Sequence, residues 1–158
     1  MEQEFKALVA THHLLIYKVC RMYGATEADM QDLYQDILIQ LWKAFPSFKG
    51  ESKISTWIYR IALNTSITQF RKTKRRPMHE SISDLMTETI SNPESRQEEV
   101  EQLNKAIARL ADIEKAVILL YLDEYSYKEM AEIIGTTESN IGFKINKIKN
   151  KLKETLKQ

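Results

Sequence analysis

The chain has 158 residues, 43% of them apolar and 28% charged, with only four Gly and three Pro, which suits one compact domain or two small ones built from helices. No apolar run approaches the ~20 residues of a membrane span. The acidic, amphipathic start MEQEFKALVA is not a signal peptide, and a lone Cys20 excludes a disulfide framework and points to a reducing compartment, the cytoplasm. The net charge of +1 conceals segregation into four blocks. Glu27 to Asp36 holds four acids and no base; RKTKRR at 71–76 holds five bases; residues 80–101 hold seven acids against Arg96; Lys144 to Lys157 holds six lysines against Glu154. Blocks of alternating sign imply separate surfaces with separate jobs.

In chain order, Phe5, Leu8, Val9, His12, Leu15, Ile16, Val19 and Tyr23 recur at three- and four-residue steps and predict a first helix. Gly24 is expected to end it in the left-handed conformation, and His12 to pack into its apolar face. Thr26 caps a second helix, with Asp29 three residues on; Met30, Leu33, Ile37, Leu41 and Phe45 are its apolar positions and Pro46 its end. After the loop SFKGES a third helix begins near Ser52 or Ser55, carries Trp57, Ile58, Ile61 and Thr65, and runs through the basic block to Pro77. His12 and His13 lack the spaced partners that a metal site needs, so no metal or other cofactor is expected.

Residues 77–101 are acidic and rich in Ser and Thr, without sustained apolar period, and read as a flexible linker with at most a short helix at 83–89. Leu103, Ile107 and Leu110 begin a fourth helix, and Asp112 caps a fifth through AVILLYL. Ser126 and Glu129 form a capping box for a helix from Tyr127. Gly135 stands where a C-terminal glycine belongs, Thr136 and Thr137 cap again, and the last helix buries Ile141, Ile145, Ile148 and Leu152. Helix, short glycine turn and basic helix make the helix-turn-helix pattern of DNA-binding proteins. Its second helix would lie in a major groove. The fold expected is therefore all-α, with two small helical domains, 1–76 and 102–158, on either side of the linker.

The segment DLYQDILIQLWKAFPSFKGESKISTWIYRIALNTSITQFRKTKRR, residues 32–76, resembles region 2 of the extracytoplasmic-function (group 4) sigma factors of bacterial RNA polymerase. The matching motifs are D-L-x-Q-D-x-x-x-x-L-W, F-x-G-x-S-x-x-x-T-W and Y-R-I-A-x-N. Residues 103–153 resemble region 4 of the same family. The resemblance implies a non-catalytic subunit that directs core polymerase to promoters. Its partners would be the clamp helices of the largest polymerase subunit, the flap of the second-largest, promoter DNA and an anti-sigma factor.

Residue by residue, the resemblance assigns Asp32, Gln35, Asp36 and Gln40 to core polymerase. Independently, Asp32 and Asp36 stand four apart on a predicted face away from Leu33 and Ile37. It assigns Phe48, Lys49, Gly50, Ser52, Ile61 and Asn64 to a pocket for a flipped −10 base, which Asn64 can read as both donor and acceptor. Arg71, Lys72, Lys74, Arg75 and Arg76 would hold phosphates nearby. In the helix-turn-helix, residues 127–151, the −35 contacts would be Thr137, Ser139, Asn140, Phe143, Lys144, Lys147, Lys149 and Lys151. Trp57 fits the core better than a stacking platform. Gly142 and Phe143 depart from the family's usual V-K-S-R: the glycine either weakens the helix or admits a close backbone approach, and Phe143 either touches a thymine methyl or packs.

Three other readings fit less of the chain. A stand-alone repressor would need a dimer face, and no spare apolar stripe supplies one. A membrane- or calmodulin-binding basic helix leaves residues 32–76 unexplained. The loop FKGESKIST lacks the upstream glycine and the G-K-[ST] ending of a nucleotide-binding loop, and paired carboxylates, a nucleophile constellation and metal spacing are missing, so an enzyme is disfavoured.

Overall fold

The computed structural model describes residues 1–74 and 94–157, with side chains except at positions 74, 94 and 95. The chain divides into two compact units, Met1–Met78 and His79–Gln158. All regular structure among the described residues is helical.

The first unit holds α1 (Glu2–Tyr23), α2 (Glu27–Ala44) and α3 (Ile54–Lys74), each packed on the other two. Its core joins Ile16, Val19 and Cys20 of α1, Leu33, Ile37 and Leu41 of α2, and Ile58, Tyr59, Ala62 and Leu63 of α3. These are the positions that helical periodicity brings to one face. Burial pushes the Cys20 thiol up to about 12, so it stays protonated and acts as a small apolar group. The α1 axis kinks at His12, whose φ of −112° and ψ of 15° leave the helical region; the ring is half-buried rather than packed in the core.

Gly24 ends α1, but not for the expected reason. Its φ of −86° and ψ of 130° are extended, a conformation open to any residue. What requires glycine is space: a Cβ there would lie 2.7 Å from Met30 Cγ and 2.9 Å from the Cys20 carbonyl oxygen. Thr26 caps α2 by accepting the Asp29 amide at 3.0 Å. The helix gives way at Phe45 to a 3₁₀ turn, Phe45–Ser47, which accommodates Pro46 in its first positions.

The second unit holds α4 (Glu94–Ala108), α5 (Asp112–Leu122), α6 (Tyr127–Ile134) and α7 (Glu138–Lys157). Here α7 packs on α4, α5 and α6, and α5 also packs on α6. The core is Ala106, Ile107, Leu110, Ala116, Val117, Leu120, Met130, Ile133, Ile141, Ile145 and Ile148. Leu152 is only half-buried and Leu103 is exposed.

The linker expected at 77–101 is therefore too long by eight residues: α4 already begins at Glu94. Residues 96–99 are polar and exposed, so they show no apolar period, and Glu, Gln and Arg form helix by intrinsic propensity, with acids favoured near the N-terminus. The rest of that linker, with Pro77 and the short helix expected at 83–89, lies outside the described residues. Asp112 is not the cap of α5 but its first residue. The cap is Ala111, whose amide donates to Glu114 Oε1 at 3.0 Å.

Along α3 the hydroxyls of Thr65, Thr68 and Thr73 each donate to the carbonyl four residues earlier. Ser66 does not. Its Oγ is fully buried among the core side chains with no hydrogen-bond partner among the described residues. A buried hydroxyl left unpaired costs stability, so Ser66→Ala should stabilise the first unit by about 1 kcal/mol. Both tryptophans, Trp42 and Trp57, belong to this unit. Urea unfolding followed by their fluorescence should move to higher denaturant; a midpoint shifted downward would show that the hydroxyl is satisfied.

Candidate nucleic-acid interface

The helix-turn-helix of α6 and α7 is built from local hydrogen bonds. The Glu129 amide donates to Ser126 Oγ at 3.1 Å, and the Ser126 amide donates to Glu129 Oε1 at 3.4 Å. Gly135 closes α6 at φ 87° and ψ 46°, the left-handed region, as its sequence position predicts. Thr137 then accepts the Asn140 amide at 3.1 Å, while Asn140 Nδ2 donates to Thr136 Oγ1 at 2.7 Å. Thr137 and Asn140, two expected DNA contacts, thus have their side chains engaged in starting α7.

Burial of Ile141, Ile145 and Ile148 sets the roll of α7. At 3.6 residues per turn, Ser139, Phe143, Asn146, Lys147 and Asn150 fall on the opposite side, and all five are exposed. Lys149 and Lys151 do not belong to that face. Lys151 Nζ donates to both oxygens of Glu114, at 2.9 and 2.8 Å, and Glu114 is buried. Lys149 Nζ lies 4.9 Å from the centre of the Tyr121 ring, and hydrogen bonding with Tyr121, then its charge, raise the lysine's pKa. Both lysines lie on the flanks of the helix, where long stems reach back to α5. Lys144 is half-buried. Gly142 faces the Tyr127 ring, 3.6 Å from where its Cβ would be, an ordinary contact. The neighbour approaching this glycine is a tyrosine of α6, and it leaves room for a methyl.

The first unit carries the other candidates. On α2, Asp32, Gln35 and Gln40 are exposed, but Asp36 is half-buried and accepts from Gln69 Nε2 of α3 at 3.3 Å. The acidic face is therefore narrower than its spacing predicts. Two apolar residues interrupt it, Ile39 at 50% exposure and Trp42 at 44%. In the loop before α3, Gly50 has φ +73° and open space around it, so only its backbone conformation calls for glycine. Phe48 lies 4.9 Å from Trp57 and Phe45 6.4 Å from it; Phe5 extends the group to Phe45 and Trp42. Trp57 is thus a half-buried member of a packed aromatic cluster that anchors the loop to the start of α3.

Lys49 is exposed, Ser52 half-buried, Ile61 half-buried and Asn64 exposed. Asn64 lies two turns beyond Trp57 along α3, and Arg71 and Lys72 are exposed near its end. Arg75, Arg76 and the Lys74 side chain lie outside the described residues. Among the described residues no three His, Cys, Asp or Glu side chains converge on a metal position, and no helix is long and apolar enough to cross a membrane.

Several of these residues could have been found in the sequence. Asn146 and Asn150 stand one and two turns beyond Phe143 on the helical wheel, and Ile39 is apolar off the α2 stripe. Glu114, an acid opening the apolar run AVILLYL, signals a buried partner.

A two-unit helical protein with a capped helix-turn-helix in its second unit is a DNA-binding architecture. Comparison with known proteins narrows it. The sigma-70 region 2 family matches residues 8–76, and the sigma-70 region 4 family matches residues 100–152. The ECF RNA polymerase sigma-E factor of Escherichia coli K12 is 30% identical over 99% of this chain and 91% of its own length. The RNA polymerase sigma factor YlaC of Bacillus subtilis is 32% identical over 80% of this chain and 76% of its own. Among solved structures, the sigma factor RpoE of Bartonella quintana, crystallised with the anti-sigma factor NepR, shares the fold with a TM-score of 0.79 at 21% identity, covering 98% of each chain. The chain belongs to the extracytoplasmic-function sigma factors, which direct promoter-specific initiation by RNA polymerase.

Glu114 gives the second unit a pH dependence. Burial raises its pKa, but hydrogen bonds from Lys151 and the Ala111 amide, with the charges of Lys151 and Lys147, outweigh burial and hold it below the usual value. A carboxyl depressed in the folded state contributes stability above its unfolded pKa of about 4.3 and loses it as pH falls through the folded value. Glu114→Gln should cost about 1–3 kcal/mol at pH 7 and flatten the loss of stability below about pH 4.3. Helicity followed by circular dichroism should report this, while tryptophan fluorescence, which senses the first unit, stays unchanged.

Proposed function

We propose that this sigma factor divides promoter recognition between its two units. The first, residues 1–76, binds core polymerase and captures a −10 base; the second, from α4 to the end of the chain, reads the −35 element with α7. On α2, Asp32, Gln35 and Gln40 meet the basic surface of the clamp helices, with Asp36 shared between that contact and Gln69. Phe48, Lys49, Gly50, Ser52, Ile61 and Asn64 border the base pocket, and the basic run from Arg71 to Arg76 follows the phosphates. Ser139, Phe143, Lys144 and Lys147 meet the −35 groove, and the second unit also meets the flap. Lys149 and Lys151 drop out as primary contacts, because Tyr121 and Glu114 occupy them.

The observation that carries this reading is that one chain joins a region 2 match to a region 4 match whose helix-turn-helix leaves a polar face of α7 free. The protein acts as a non-catalytic subunit in the cytoplasm, and the chemistry of RNA synthesis stays with core polymerase. An anti-sigma factor is the regulator this reading expects, since the similar Bartonella sigma factor is held by one. Reconstitution tests the whole: with core polymerase the chain should yield promoter-specific transcripts, whereas a stand-alone repressor would bind duplex tightly without polymerase and yield none.

Two variants separate the roles. Asp32→Lys changes an exposed side chain, so circular dichroism should be unaltered while affinity for core polymerase falls about tenfold or more, as like-charge juxtaposition costs several kcal/mol. Unaltered affinity would remove α2 from the polymerase interface. Asn64→Ala should cost about 1–3 kcal/mol on pre-melted promoter DNA and little on closed duplex, because a base must leave the stack to be read. Permanganate footprinting should show the deficit in melting at the −10 element. Equal losses on both templates would refute base capture.

A further inference from the structure

Phe143 is 69% exposed, the most exposed large apolar side chain among the described residues of the second unit, and it sits at the centre of the α7 face opposite Ile141, Ile145 and Ile148. Its neighbours on that face are Ser139, Asn146 and Lys147, all polar, so it does not belong to an extended apolar patch of the kind a protein partner covers. Asn146, one turn further on, makes no side-chain hydrogen bond among the described residues. Its amide keeps both a donor and an acceptor to offer. The acids of α7 stand away from Phe143 and Asn146: Glu138 lies in register with Ile141 and Ile145, at i+3 and i+7, and Glu154, which shares the outer face, comes two turns beyond Asn146.

The major groove presents one apolar feature, the C5-methyl of thymine, and one edge that an asparagine amide matches with two bonds, N6 and N7 of adenine. Guanine, by contrast, is read by arginine or lysine; α7 contains no arginine, and Lys147 is the lysine one turn from Phe143 on the outer face. We propose that Phe143 and Asn146 make this sigma factor select A·T pairs within its −35 element, Phe143 packing on a thymine methyl and Asn146 bonding a neighbouring adenine. The inference rests on the placement of α7 in the −35 groove and adds which bases it reads. Thr137 and Asn140 are spent on the cap and Lys149 and Lys151 on α5, so base discrimination falls to the residues left on the outer face. Lys147 beside them supplies a phosphate contact without sequence preference.

The test uses holoenzyme, the full chain on core polymerase, and promoter duplexes randomised over the −35 region. The selected element should contain a thymine at which replacement by deoxyuridine, which removes only the methyl, weakens binding about fourfold. Phe143→Ala should bind the two templates equally. It should also keep its helicity, because the ring is exposed and alanine is the better helix former. Asn146→Ala should lose the preference for adenine at an adjacent position. If deoxyuridine is tolerated at every selected thymine, or Phe143→Ala still distinguishes the two templates, the inference is wrong. In that case a uniform weakening by Lys147→Ala would leave α7 in the groove and the proposed division of labour intact. If no element is enriched at all, the placement of α7 falls and the inference with it.

Discussion

The burial of Ile141, Ile145 and Ile148 against three short helices decides what the rest of α7 can do. Each such side chain contributes roughly 1.5–3 kcal/mol, which fixes the roll of the helix. Everything outward follows from that roll: Phe143 and Asn146 face away from the unit, and Lys149 and Lys151 flank the core. The flanks are then tied down. Glu114 caps the start of α5 through the Ala111 amide and holds Lys151 with both oxygens, so one carboxylate links the beginning of α5 to the later turns of α7. A buried acid that also neutralises a lysine of α7 couples the unit's stability to its surface charge.

In the first unit the corresponding constraint is aromatic. The Phe45–Ser47 turn brings Phe45 and Phe48 against Trp57, and Phe5 of α1 closes over Phe45 and Trp42. These contacts anchor the loop at both ends. Between them Gly50 supplies the one turn that needs a left-handed backbone, with open space around it. The loop is therefore held by its flanking rings and presented by its glycine, while Lys49 stays exposed. A pocket for an extruded base needs such a frame, because the cost of unstacking is offset only by groups already in position.

Features written within a few residues were legible before the structure. The Thr26 cap, the Ser126–Glu129 box, the left-handed Gly135 and the Thr137 cap depend on neighbours three or four positions away, and each forms as its spacing implies. Apolar periodicity likewise placed the cores of both units. Contacts distant in sequence were not legible. Lys151 meets Glu114 across 37 positions and Asp36 meets Gln69 across 33; the apolar run after Glu114 marks that acid as buried, but no local pattern names the partner of either carboxylate. Gly24 shows a different limit: its place at a helix end was right, but the cause is close packing on Met30 rather than backbone conformation. The early start of α4 was hidden because residues 96–99 are exposed, so the period that reveals a helix is absent where intrinsic propensity alone builds it.

The lysine block at the end of the chain shows why counting charge misleads. Six lysines follow Ile141, but the ammonium of Lys151 is held by a carboxylate and that of Lys149 by a phenol ring. Each phosphate that a protein neutralises adds about 0.9 to the magnitude of the salt slope. Lysines already paired contribute less, because breaking an internal contact offsets the new one. The net positive charge of this helix is correspondingly lower than its composition implies at Lys151, whose ammonium Glu114 already neutralises. Phe143 and Asn146 occupy the side of α7 remote from the isoleucines, so substitutions at these two positions can change that surface without any change to the core.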